Sequence, residues 1–214
     1  MQLFLSSYRA GVHDKELLKF LGDVKKIAVI TNAKDYKTPE GRRKRIEENF
    51  SYYRSIGLEP TEVDLRPFFH KPDAEKLLTG HKFIWLAGGN MFLLRRALSY
   101  TGLDKWLCDA VRNNKIILGG ESAGAIIIGP TLKYSEVDTD EDSPNYIPDG
   151  YDKEPIWAGL NIIDFVPVPH YQTPDYIGID EYVENLEKEN IPHEKMRDGQ
   201  AIVIDGDKEE FLKW

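Results

Sequence analysis

The sequence predicts an α/β fold, a parallel sheet covered by helices on both faces as a three-layer sandwich. Three observations carry this: short apolar runs recur along the first half, longer amphipathic stretches separate them, and two runs end in glycine pairs. Continuous apolar strands alternating with helical periodicity are the pattern of a sheet buried on both faces.

Leu3-Phe4-Leu5 reads as the first strand, followed by a helical pattern beginning at Glu16-Leu17-Leu18. Lys26–Ile30 is the second strand and a long helix from Arg42 to Ser55 follows it. Glu62–Leu65 and Phe83–Ala87 are the third and fourth strands, with helices over Met91–Leu98 and Asp104–Val111. Ile116-Ile117-Leu118 is the fifth strand and runs directly into Gly119-Gly120-Glu121-Ser122. Beyond it the pattern loosens. Phe165–Val168 reads as a strand whose nearby prolines place it at an edge or strand end. Tyr182–Lys188 is helical, and Ala201–Ile204, Asp205-Gly206-Asp207 and Phe211-Leu212 read as a terminal hairpin. Without a repeat, a low-complexity tract or a linker, the expectation is one domain over residues 1–214.

Composition narrows the function classes. The chain has 214 residues, 41% of them apolar and 30% charged, with a formal net charge of −8. An acidic chain is a poor partner for nucleic acid, because phosphate binding needs concentrated Lys and Arg. The one basic cluster, Arg42-Arg43-Lys44-Arg45, is followed by Glu47-Glu48 and reads as a solvated, charge-paired helix face. No apolar run approaches the ~20 residues of a membrane helix, and MQLFLSSYRA lacks the pattern of a signal peptide. Cys108 is the only cysteine, so no internal disulfide is expected and a cytoplasmic setting suits the chain. The expected partners are a small substrate, with no nucleic acid and no membrane, for a monomer or homodimer.

Gly120-Glu121-Ser122-Ala123-Gly124 is a G-x-S-x-G sequence. Alone it is a weak signal. Its setting strengthens it, since an apolar strand enters it and the small-residue start of an apolar helix leaves it, the context of a nucleophile elbow. A sharp turn there lifts the Ser122 hydroxyl out of the sheet, and Ala123 N–H faces the charge developing on an attacked carbonyl. Ala87-Gly88-Gly89-Asn90 also ends a strand and precedes a helix, with Asn90 as N-cap. Loops at the carboxyl ends of parallel strands line one crevice, so Gly88 or Gly89 is placed to supply a second oxyanion N–H.

A serine nucleophile needs a base. Of the five histidines, His13, His70, His81 and His193 sit among polar residues and read as surface positions. His170 follows a strand end downstream of Ser122 and is the candidate. An orienting carboxylate is sought in the acid-rich stretch between them, where Glu136 and Asp138 lie nearest the preceding apolar segment. Asp138–Asp142 lacks the glycine required at the sixth position of a calcium loop, so calcium is not expected there; a serine–histidine–carboxylate mechanism needs neither a metal nor an organic cofactor.

GGESAGA, AGGN and GLNIIDFVPVPHY together resemble peptidase E and its relatives, including cyanophycinase. The resemblance runs from the first strand to the final DGQAIVIDGD hairpin. It implies a flavodoxin-like fold similar to class I glutamine amidotransferases, with serine where those enzymes carry cysteine, and a Ser–His–acid triad acting on small peptides. It places the nucleophile at Ser122, the base at His170 and the oxyanion hole at Ala123 and Gly88-Gly89. A gapless comparison puts Val137 at the expected aspartate, one residue from both Glu136 and Asp138. Peptidase E cleaves dipeptides with an N-terminal aspartate, and the resemblance implies an arginine downstream of the histidine to pair with it. YQTPDYIGIDEYVENLEKE after His170 contains no arginine and many acids, so strong aspartyl specificity is not expected. The alternatives are an esterase, against which stands the lack of an H-G-G-G-type loop, and a non-catalytic binding protein that has kept the fold.

Overall fold

A computed structural model describes residues 1–136, 143–152, 154–174 and 176–213. Its strands are β1 (Gln2–Ser6), β2 (Lys26–Ile30), β3 (Glu59–Val63), β4 (Phe83–Leu86), β5 (Ile117–Glu121), β6 (Val166–Val168), β7 (His193–Lys195), β8 (Ala201–Asp205) and β9 (Lys208–Leu212). Its α-helices are α1 (Asp14–Leu21), α2 (Pro39–Ser55), α3 (Met91–Thr101), α4 (Leu103–Arg112), α5 (Ala123–Ile126) and α6 (Ile179–Lys188).

A seven-stranded sheet has the order β3-β2-β4-β5-β1-β8-β9. β3 through β1 in that order run parallel, as expected, while β8 and β9 join antiparallel. Alternation of side chains along each strand explains why the runs are continuously apolar. Leu3, Leu5, Ala28, Ile30, Ile84 and Leu86 face the layer formed by α3, α4 and α5. Phe4, Ile27, Val29, Phe83 and Trp85 face α1 and α2. Both faces of the central strands are covered, so their interior positions are apolar or glycine, while polar residues fall at strand ends and on the edge strands β3 and β9.

Two differences from the sequence reading have simple causes. β3 begins at Glu59 and ends at Val63, earlier than expected, because it pairs residue for residue with β2 from Lys26↔Glu59 to Ile30↔Val63. It is an edge strand and tolerates Pro60 there. The strand at Phe165–Val168 is outside the main sheet, where Val166–Val168 pairs in parallel with β7.

β2 connects outward to β3, whereas β4 returns on the other side of β2. Such a reversal opens a crevice at the carboxyl ends of the strands. The segment between α5 and β6 packs against α3 and α4 without regular elements among its described residues, apart from a bridge between Thr131 and Ala158. Buried arginines of α3 hold it: Arg95 Nε donates to Ala158 O at 2.9 Å, and Arg96 Nη2 to Pro144 O at 2.9 Å. Among the described residues, no helix is long and apolar enough to cross a membrane.

Candidate active site

Ser122 follows β5 directly and has φ 51° and ψ −120°, a conformation that L-residues with a Cβ rarely adopt. The local sequence allows it. The turn is so tight that a Cβ on Gly124 would lie 2.0 Å from the Leu86 carbonyl oxygen, so glycine is required there. α5 is a single turn, with Ile126 N donating to Ser122 O at 3.0 Å. Ala123 N–H lies in that first turn, where a helix leaves its amides without intrahelical partners.

The glycine pair after β4 approaches the same serine. A Cβ on Gly88 would stand 3.1 Å from Ser122 Cβ. Gly89 has φ 137°, and a Cβ there would meet Ala33 O at 2.3 Å. Neighbouring bonds pin the turn: Asn90 N donates to Ala33 O at 2.7 Å, and Lys34 Nζ to Gly88 O at 2.9 Å. Asn90 caps α3 as expected, accepting from Leu93 N at 2.9 Å. Burial pushes the Lys34 ammonium below its ordinary pKa, and Glu121 opposes that shift.

His170 lies just past β6 and is 3% exposed. Its Nε2 is 3.0 Å from Ser122 Oγ. Its Nδ1 is 2.7 Å from Asp198 Oδ1. The Tyr176 ring stacks on the imidazole at a centroid distance of 3.7 Å and an interplanar angle of 4°. His170 also has positive φ, 59°, so both residues of the Ser122–His170 pair sit in strained backbone. Such strain persists only where the surroundings over-determine the conformation. Burial raises the pKa of the Asp198 carboxyl, but hydrogen bonds from His170 and Ser7 outweigh it and hold the group below the ordinary carboxylate range.

The acid beside the imidazole therefore comes from a different part of the chain than the stretch between Ser122 and His170. Glu136 is exposed, and the Nδ1 side of His170 is taken by Asp198. Asp138, with the rest of 137–142, lies outside the described residues. Asp198 stands in the Asp198-Gly199 turn that leads into β8. Because β8 is antiparallel to β1, its amino end reaches the edge where the parallel strands have their carboxyl ends. The signal was present as an aspartate one turn before a hairpin strand, but its meaning depended on the direction of β8. Of the other histidines, His13 is buried at 8% exposure, contrary to the surface expectation.

The segment after His170 holds no arginine. Arg197 comes from beyond that segment, and its guanidinium donates to the side chain of Gln172. Among the described residues, no cluster of His, Cys, Asp and Glu has the arrangement to hold a metal ion.

Comparison with known proteins agrees with this architecture. The sequence profile of peptidase family S51 matches residues 5–212. An uncharacterized peptidase of Pasteurella multocida is 26% identical over 211 residues, covering 96% of this chain and 94% of that protein. Peptidase E of Streptomyces coelicolor is 29% identical over 153 residues, covering 68% of this chain and 58% of that protein. A solved structure from Listeria monocytogenes, provisionally described as a peptidase E protein, matches with a TM-score of 0.78 at 24% identity. That match spans 100% of this chain and 98% of the other. At that identity it speaks for the fold.

Proposed function

The chain belongs to peptidase family S51, and we propose that it hydrolyses small peptides through a triad of Ser122, His170 and Asp198. The observation that carries this reading is the continuous relay from Asp198 Oδ1 to His170 Nδ1 at 2.7 Å and from His170 Nε2 to Ser122 Oγ at 3.0 Å. These are hydrogen-bond distances for a base and its nucleophile, with the base oriented by a third group.

In this mechanism His170 Nε2 takes the Ser122 proton as Oγ attacks the scissile carbonyl carbon. The C=O π pair moves onto oxygen, and the resulting oxyanion is held by Ala123 N–H and by Gly88 or Gly89 N–H. The tetrahedral intermediate collapses, the C–N bond breaks, and His170 delivers its proton to the leaving amine. Water, deprotonated by His170, then attacks the acyl-enzyme; collapse frees the acid and returns the proton to Ser122. Asp198 keeps its charge throughout and stabilises the imidazolium.

Strong preference for an N-terminal aspartate is not part of this reading, because residues 171–189 hold no arginine and many acids. A second reading of specificity rests on Arg197, a cation beside Gln172. Hydrolysis of a dipeptide panel by the wild type and by Ser122→Ala tests both. We expect turnover of several dipeptides, lost in the variant together with labelling by a serine-reactive phosphonate. Turnover of Asp-Leu with none of Ala-Leu or Lys-Leu, abolished by Arg197→Ala, would favour the second. Equal turnover by wild type and Ser122→Ala would reject the proposed nucleophile.

A further inference from the structure

We propose that Ser7 is a positioning residue of this site, one hydroxyl that aligns the base and tunes the acid together; the inference rests on the triad reading above. Ser7 follows β1 and is fully buried. Its Oγ receives the backbone N–H of His170 at 2.8 Å. The same Oγ lies 2.6 Å from Asp198 Oδ1. The directions are unambiguous. A backbone N–H only donates, so Ser7 must accept from His170; a carboxylate only accepts, so the Ser7 proton points at Asp198.

The neighbourhood fixes that hydroxyl. Ser7 N donates to Gln200 O at 3.2 Å, and the adjacent Ser6 O accepts from Ser122 N at 3.1 Å. The Ser6-Ser7 dipeptide thus touches all three members of the triad. Its loop is tied in turn by buried Glu121, which accepts from Arg9 N at 2.6 Å and Asn49 Nδ2 at 3.1 Å. Two consequences follow from chemistry. The bond to His170 N helps hold the positive φ of that residue, which presents the imidazole to Ser122. The bond to Asp198 withdraws charge from the carboxylate oxygen that also faces Nδ1, which keeps the imidazolium from being over-stabilised.

Replacing Ser7 by alanine leaves the His170 N–H without its acceptor and makes Asp198 more basic. The more basic carboxylate then strengthens its bond to the protonated imidazole. For Ser7→Ala we expect kcat/KM to fall about 10- to 100-fold, mostly in kcat, the size of one hydrogen bond to a charged group. The acid limb of the kcat/KM profile moves to higher pH. In Asp198→Asn much of that effect disappears, so the two substitutions are non-additive. Ser7→Cys, with a weak thiol donor of similar shape, gives the same readout if the alanine variant fails to fold.

The outcomes separate. Wild-type activity in Asp198→Asn overturns the triad reading. Loss of activity in Asp198→Asn with an unchanged rate and acid limb in Ser7→Ala overturns only the role of Ser7. A slower Ser7→Ala whose acid limb stays in place and whose effect adds to that of Asp198→Asn marks a merely structural serine, and also overturns it.

Discussion

Two polar clusters stand at the carboxyl edge of the same sheet and are built differently. One is the Ser122–His170–Asp198 group. The other centres on Arg42 of α2, whose side chain is 7% exposed. Arg42 Nε meets Asp35 Oδ1 at 2.7 Å, Nη1 meets Glu62 at 2.7 Å, and Nη2 donates to Thr31 Oγ1 at 2.7 Å. Asp35 also accepts from Asn32 Nδ2 at 2.8 Å and from Tyr151 Oη at 2.6 Å. That second cluster joins α2, the residues after β2 and the irregular segment through fixed donor and acceptor pairs, so no proton has a second place to go. In the first cluster both strained residues face each other across a bond in which the proton can sit on either atom. The comparison separates a polar cluster that holds the fold from one poised for chemistry.

Substitutions should pull the two apart. The largest effect is expected for Asp198→Asn, which keeps the shape but lets His170 adopt the wrong tautomer. Peptide turnover should fall by about 10³- to 10⁴-fold with the folded structure retained, whereas Glu136→Gln should leave steady-state rates unchanged. Next is Arg42→Met, which leaves buried Asp35 with only the longer contact to the half-exposed Arg66, whose Nε is 3.9 Å away. Chemical denaturation should show a loss of about 3–5 kcal/mol, while the activity per folded molecule stays within a few-fold. Tyr151→Phe removes one donor from the same carboxylate and should cost about 1–3 kcal/mol, again without a change in catalytic rate.

The smallest effect concerns pH. Asp198 has a depressed pKa in the folded state. Its carboxylate therefore stabilises the fold above the unfolded value, and that contribution is lost as pH falls through the folded pKa. The melting-temperature difference between wild type and Asp198→Asn should shrink as pH drops below the ordinary carboxylate value of 3.8. A difference that grows with acidity would contradict the assigned bonding.

Much of the scaffold was legible because its signals are local. Strand alternation and helix periodicity placed β1, β2 and β4 to within a residue and the start of β5 likewise, since each is buried on both faces and its pattern is continuous; β5 runs on to Glu121, three residues past the apolar run. Gly89, Gly120 and Gly124 marked backbone approaches too close for a Cβ. β7 was missed because His193-Glu194-Lys195 carries no apolar signal, and its strand conformation exists only through pairing with Val166–Val168. Arg42 read as part of a solvated basic face, yet it is buried because three acids, one after β2, one in β3 and one just past β3, converge on it.

By itself, the sequence determined the α/β architecture, the Ser122 elbow, the glycine turn beside it and His170 as the partner histidine. Each of these follows from a short stretch of chain whose chemistry is self-contained. Only the tertiary structure decided which acid stands behind His170 and that Ser7 joins the two. Asp198 is 28 residues from His170 and Ser7 is 163 residues from it. They meet because β8 enters the sheet antiparallel to β1, which brings the start of one strand to the end of the other, and strand direction is set by packing of the whole sheet.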